Sequence, residues 1–209
     1  VRPGRDEARR AVLEEVRSRG LEVIGLTKNG ESLRSRLALA HRVLGDPWPD
    51  VSDEALLSRA EEWLDLDGLA AGQGSDATSG LRRMLGWQES ARLDEALPET
   101  ITVPSGSRIR VDYPEPGSDA APVLAVKLQE CFGWTDGPMI CDGRVKVVLH
   151  LLSPARRPLA VTDDLASFWA NVYPSVRAEN RGRYSKHPWP EDPLTAMPTK
   201  RTNRALGHS

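Results

Sequence analysis

The sequence predicts an α+β fold: an N-terminal helical bundle followed by a small mixed β-sheet unit with packing helices. Three observations lead there. Apolar residues recur at helical spacing up to Leu97, and Pro98 ends that pattern. Beyond Pro98 the chain turns to short apolar runs and alternating segments of strand type. Hydrophobic residues make up 39% of the 209 and charged residues 28%, an ordinary globular balance with enough apolar side chain for a core.

The helical half is read as five helices. Val12 and Val16 mark the first, Asp6–Arg19, with Gly20 placed to end it. Leu33, Leu37 and Leu44 mark the second, stopped by Gly45 and Pro47. Ser52 can cap a third, where Leu56, Ala60, Trp63 and Leu64 share a face. A fourth starts at Asp76 and carries Leu81, Met84 and Leu85; a fifth, Gln88–Leu97, ends at Pro98. Gly68–Gly80, rich in Gly, Ser and Ala, reads as a loop.

In the second half, Ile101–Val103, a turn at Pro104-Ser105-Gly106, and Ile109–Tyr113 read as a β-hairpin. Val123–Phe132 fits two patterns. Leu124, Leu128 and Phe132 suit a helix, Val123 and Val126 a strand, and the run Leu128-Gln129-Glu130 favours the helix. Arg144–Leu152 predicts a buried strand returning through Ser153-Pro154 to Leu159–Thr162. Thr162 or Asp163 then caps a helix to about Asn180, with Leu165, Phe168, Trp169, Val172 and Val176 inward and Pro174 near a kink. The division expected is 1–97 helical, 98–187 β-rich and 188–209 an extended or disordered tail.

The net charge of −2 predicts no general attraction to nucleic acid or acidic membranes, so such a role needs a local patch. No apolar run approaches 20 residues, so no membrane partner is expected. Two cysteines, Cys131 and Cys141, make no disulfide framework, and a reduced, cytoplasmic setting is expected. A chain that opens on Val1 rather than Met reads as a piece of a longer product.

Phosphate-cradling NTPases need G-x-x-x-x-G-K-[ST], and no such string is present. Asp53-Glu54-Ala55-Leu56 and Asp94-Glu95-Ala96-Leu97 mimic an acidic motor box. They stand in helical patterns, not at the end of a buried strand, and read as solvated helix faces. Among the histidines, His41 falls in a helix, His150 in an apolar strand and His208 in the tail; none has the company of a catalytic or metal-binding set.

Pro104–Ser107 with Ile109–Tyr113, Pro122–Glu130 with Phe132-Gly133, Leu149–Pro154 with Arg157–Leu159, and Asp164–Ala166 with Phe168-Trp169 and Val176-Arg177 follow one another in order. Together with Arg181–Pro193, the most distinctive block, they resemble the C-terminal region of the HrpB family of bacterial ATP-dependent RNA helicases, DEAH/RHA type. The likeness runs from about Pro98 to Pro198. It is looser over Leu33–Arg36, Trp48–Asp50, Leu56 and Trp63-Leu64, and weakest in Leu66–Gly80.

The resemblance implies a position after two RecA-like motor domains and winged-helix, helical-bundle and OB-fold modules of the same chain. ATP and Mg would belong to that motor, with no cofactor, metal or catalytic residue in this region. The function implied is a non-catalytic accessory region bracing the motor domains and contacting single-stranded RNA. The rival is a protein-interaction platform that recruits a partner through its acidic helical half without touching RNA; an independent enzyme is disfavoured.

Charge distribution marks where RNA contact would fall. Asp50–Thr100 holds twelve acids against four bases, whereas Arg177–Arg204 holds seven bases against three acids. In the basic stretch Arg177, Arg181, Arg183 and Lys186 interleave with Tyr184, His187 and Trp189, cations for phosphates and rings for unpaired bases. The plainer reading takes precedence: the arginines pair with acids, and Tyr184 and Trp189 pin an extended tail to the domain surface.

Overall fold

The computed structural model describes residues 4–74 and 77–207. Asp76, expected as a helix cap, and His208 lie outside them. The fold is α+β, as the sequence predicts. The chain divides into two compact units: 1–97 with Tyr113–Ala120, and Pro98–Asp112 with 121–209.

The first unit is helical. Helix α1, Arg5–Arg19, ends at Gly20, whose φ of 81° belongs to glycine. Helix α2, Lys28–Leu44, starts where the Thr27 hydroxyl accepts from Gly30 N and ends at Gly45. The expected third helix is broken. Ser52 caps α3, Asp53–Ser58; Arg59 interrupts, and α4, Ala60–Trp63, follows. With the chain bent there, buried Trp63 donates from Nε1 to Leu56 O at 2.9 Å.

The loop expected over Gly68–Gly80 is a further correction. Most of α5, Leu66–Ala70, and the start of α6, Ala77–Arg83, fall inside it. Asp65 caps α5 through Gly68 N, a local bond that composition hides. Gly80 is small for a reason: a Cβ there would collide with the Trp63 carbonyl oxygen. Helix α6 can therefore lie close against α4, and Arg83 donates to the same carbonyl at 2.8 Å. Helix α7, Trp87–Ala96, closes the unit.

Two arginines of α2 bind this unit together. Arg34 donates to Val51 O and to the Asp53 carboxylate. Arg36, 1% exposed, donates from Nε to Leu97 O at 2.7 Å and from Nη2 to Asp94 at 2.8 Å. The leading aspartates of both motor-box mimics are thus helix-end partners of α2.

The second unit holds a five-stranded sheet in the order β1-β2-β3-β6-β7. Strands β1, Thr100–Thr102, and β2, Arg108–Asp112, form the expected hairpin, with Ile101 opposite Ile109. Strand β3, Val123–Lys127, corrects the helix expected over Val123–Phe132. It pairs antiparallel with β2 and parallel with β6, so its alternation (Leu124 and Val126 buried) outweighs the helical run after it. That run makes only a 3₁₀ turn, Leu128–Cys131, and the i, i+4 spacing of Leu124, Leu128 and Phe132 spans the handover from strand to turn.

The strand expected over Arg144–Leu152 is two. Strand β5, Val145–Lys146, pairs with β4, Met139–Ile140, in a separate hairpin, and β6, Val148–Leu152, joins the main sheet. The switch falls at Val147, whose N–H goes to Pro138 O while that of Val148 goes to Pro122 O. Strand β7, Pro158–Thr162, returns antiparallel to β6, as expected.

The last long helix is composite: α8, Leu165–Ser167, a π-helical turn, Phe168–Val172, and α9, Tyr173–Asn180. Asp164, not Thr162 or Asp163, caps it through Ser167 N. The wide turn accommodates Pro174, which has no N–H for a regular helix. It also moves the inward face by one residue. Val172, expected inside, is 44% exposed, and Tyr173 is buried in its place. Tyr173, Trp169, Phe168 and Phe132 form a cluster with ring centroids 5.1–6.4 Å apart.

Three substitutions test the helical unit. Gly80→Ala should cost about 1–3 kcal/mol in denaturant unfolding, through forced separation of α4 and α6. Arg36→Met should cost about 2–4 kcal/mol, because Leu97 O is left without its donor. Asp94→Ala should cost under about 1 kcal/mol, since that carboxylate is 85% exposed. Equal losses from Arg36→Met and Asp94→Ala would contradict this account.

Candidate nucleic-acid interface

The basic stretch begins on the last turns of α9 and runs into three turns, Arg181–His187, and an extended segment. Its backbone is held from inside. Trp189, 9% exposed, donates from Nε1 to Tyr184 O at 3.1 Å. Arg177 donates from Nε to Trp189 O at 2.7 Å and lies 3.8 Å from Glu191. The Tyr173 hydroxyl donates to Pro190 O at 2.6 Å, and burial pushes its ionisation up to about 12, so it stays a neutral donor.

Of the seven residues the sequence puts forward, the structure therefore uses Arg177 and Trp189 internally. They serve as anchors, the part expected of Trp189 in the plainer reading. Arg181, Arg183 and Lys186 are exposed and, among the described residues, make no ion pair. The Arg183 guanidinium lies over the Tyr184 ring, 5.7 Å from its centroid, and Tyr184 keeps part of its surface open. His187 is half-buried and its Nδ1 is sealed from solvent with no hydrogen-bond partner. Burial first, and the Lys127 ammonium second, hold its ionisation below the ordinary imidazole value.

Sequence reasoning missed the residues that place this segment. Gln129 and Glu130, both buried, sit on the 3₁₀ turn after β3. Gln129 O accepts from Thr199 N at 2.9 Å, and its side chain donates to Pro188 O at 3.4 Å. Glu130 accepts from the Ser105 and Ser107 hydroxyls at 2.9 and 2.5 Å, fixing the β1–β2 turn. The signal lay in the sequence: two polar residues between apolar Leu128 and Cys131.

The remaining described histidines and the cysteine next to Glu130 have structural surroundings. His41 Nδ1 meets Trp48 O at 2.8 Å, so that nitrogen carries the proton and closes the turn after α2. His150 lies between Ala125 of β3 and Val161 of β7, inside the sheet. Burial, helped by the Glu130 carboxylate, raises the Cys131 thiol far above its usual value, which keeps it protonated and inert. Among the described residues, no three His, Cys, Asp or Glu are grouped to hold a metal ion, and no helix is long and apolar enough to cross a membrane.

A family profile described as ATP-dependent helicase C-terminal, HrpB_C, matches residues 61–193. The chain belongs to the HrpB_C family. The match takes in most of α4 and all of α5 to α7, and so includes Trp63-Leu64, part of the looser likeness read from the residues. The ATP-dependent RNA helicase HrpB of Escherichia coli K12 is 44% identical over 98% of this chain and 26% of its own length. A crystal structure of the E. coli DExH-box NTPase HrpB superposes with a TM-score of 0.86 at 44% identity, over 97% of this chain and 25% of that one. A crystal structure of the E. coli DEAH/RHA helicase HrpB gives 0.72 at 42% identity, over 90% and 24%. The chain thus spans about a quarter of the length of these relatives.

The His187 environment sets a pH dependence. The buried ring favours the neutral form, so the unfolded segment takes up a proton first as pH falls. The contribution to tail docking is complete above the ordinary value of 6.5 and is lost as pH drops from there through the lowered folded value. Amide protection factors at Thr199 and Asn203 should fall over that range, and His187→Phe should flatten the change.

Proposed function

We propose that this chain is the non-catalytic C-terminal accessory region of an ATP-dependent RNA helicase, cytoplasmic like the parent, bracing the motor domains and touching RNA through Arg181, Arg183, Lys186 and Tyr184. The single observation behind the RNA contact is that three cations within six residues stand exposed and, among the described residues, without acid partners, on a backbone fixed by Arg177 and Trp189. Guanidinium and ammonium groups already neutralised by carboxylates have little to offer a phosphate; these are not so used. Arg183 above Tyr184 offers a cation and a ring side by side, the combination that suits an unpaired nucleotide. Family membership and the names of the E. coli relatives support the helicase context.

The residues present do not fit ATP or Mg. The phosphate-cradling glycine loop is absent from the sequence, and Asp53 and Asp94 are held by Arg34 and Arg36. In this reading nucleotide chemistry belongs to the motor domains of the parent protein, and the winged-helix, helical-bundle and OB-fold modules are partners within that chain. A second reading, a protein-interaction platform, draws on the acidic surface of the helical unit and on Trp87, 80% exposed at the start of α7.

Binding of a labelled single-stranded oligouridylate across a salt series separates them. Neutralising Arg181, Arg183 and Lys186 to Gln together should weaken binding and make the slope of log K against log salt shallower by about 2, at about 0.7 per phosphate contact. Unchanged affinity and slope would remove the RNA contact and leave the platform.

A further inference from the structure

The tail does not leave the domain after Trp189. Thr199, buried, donates from its N–H to Gln129 O at 2.9 Å, and Asn203 donates from its N–H to Lys186 O at 2.7 Å. The Asn203 side chain reaches Ser185 O at 3.4 Å. The chain from Thr199 to Asn203 is therefore tied at both ends, and its second tie is the backbone of Lys186 itself. Between the ties stand Lys200 and Arg201; Arg204 follows the second directly and opens a 3₁₀ turn, Arg204–Leu206. All three side chains are exposed and, among the described residues, make no ion pair.

The nearby acids do not cancel this charge. Glu191 faces Arg177, and Asp192 accepts from Leu194 N and the Thr195 hydroxyl. Glu179 stands exposed on α9, before the basic turns. Two runs separated by thirteen residues of sequence, Arg181–Lys186 and Lys200–Arg204, are thus brought side by side by one backbone hydrogen bond.

We infer that Lys200, Arg201 and Arg204 form the second half of a single cationic track for the phosphates of single-stranded RNA, assembled only when Asn203 clasps Lys186. The inference rests on the RNA reading above and extends it to three residues and a positioning residue that carries no charge. Like charges gathered on one surface repel one another, and the clasp offsets that repulsion with bonds to backbone groups. A polyanion laid along both runs relieves it, so RNA and the clasp favour the same tail conformation.

The test uses the complete chain and a labelled single-stranded oligouridylate across a salt series. Replacing Lys200, Arg201 and Arg204 by Gln, all at exposed positions, should make the slope shallower by about 2, as many contacts as the first run supplies. Asn203→Pro removes the clasping N–H and alters no charge; its φ of −53° suits proline. It should lower affinity several-fold, flatten the slope and speed amide exchange at Thr199. If the Gln variant binds as wild type while neutralising Arg181, Arg183 and Lys186 still weakens binding, the track is refuted and the RNA reading stands. If neither set matters, both fall. If the Gln variant weakens binding but Asn203→Pro does not, the tail cations act without the clasp and the assembled track is wrong.

Discussion

The β-rich unit is organised around two buried polar side chains that cannot be left unpaired. Gln129 and Glu130 sit in the 3₁₀ turn that follows the central strand β3, one residue past its end. Leaving such a group without a partner in the interior costs about 1–3 kcal/mol, more for a charge. The unit meets the demand twice. The Ser105-Gly106-Ser107 turn brings two hydroxyls to the Glu130 carboxylate and a backbone N–H to its carbonyl, with Gly106 at a φ of 89° letting the chain close. The tail brings Pro188 O to the Gln129 side chain and Thr199 N to its backbone carbonyl. One turn of four residues thereby decides where the first hairpin ends and where the last twenty residues run.

The helical unit solves a parallel problem with cations. Arg34 and Arg36 both leave α2, both donate to a backbone carbonyl beyond a helix end, and both meet the leading aspartate of an Asp-Glu-Ala-Leu segment. Arg36 is the costly one, since its guanidinium is buried while Asp94 remains in water. The backbone carbonyl of Leu97 matters more to it than the ion pair, because solvent screens the exposed carboxylate. The two segments that imitate a nucleotide-binding box thus have structural work that accounts for their acids.

Much of this was legible in the sequence. Gly20 and Gly45 end helices as their positions suggest, and the Pro104–Gly106 turn joins the strands expected. What failed did so for reasons beyond local pattern. The Gly-rich stretch 68–80 holds helix because Asp65 caps one piece and because Gly80 must lie against Trp63, neither visible as periodicity. Val123–Lys127 is a strand because β2 and β6 flank it; the helical preference of the next three residues is spent in a turn. Val172 and Tyr173 exchanged places because a π-helical turn adds a residue that a period of 3.6 does not count. In the basic stretch, residue types alone could not separate anchors from exposed cations, because that depends on which carbonyls the fold offers to Arg177 and Trp189.

That sorting carries the functional argument. Three residues that frame the basic stretch are fixed by named backbone groups: Arg177 by Trp189 O, Trp189 by Tyr184 O, and Tyr173, just before it, by Pro190 O. None of these residues can leave its place without exposing a carbonyl to an apolar surround. The cations between them are held in position by that frame but contribute nothing to it, since their charges stay in water and their removal would cost the fold little. A fold gains nothing by stationing several like charges together, and it bears their mutual repulsion at low salt. A cluster of exposed cations on an anchored backbone, unused by the structure that carries them, is the arrangement on which the proposed RNA contact rests.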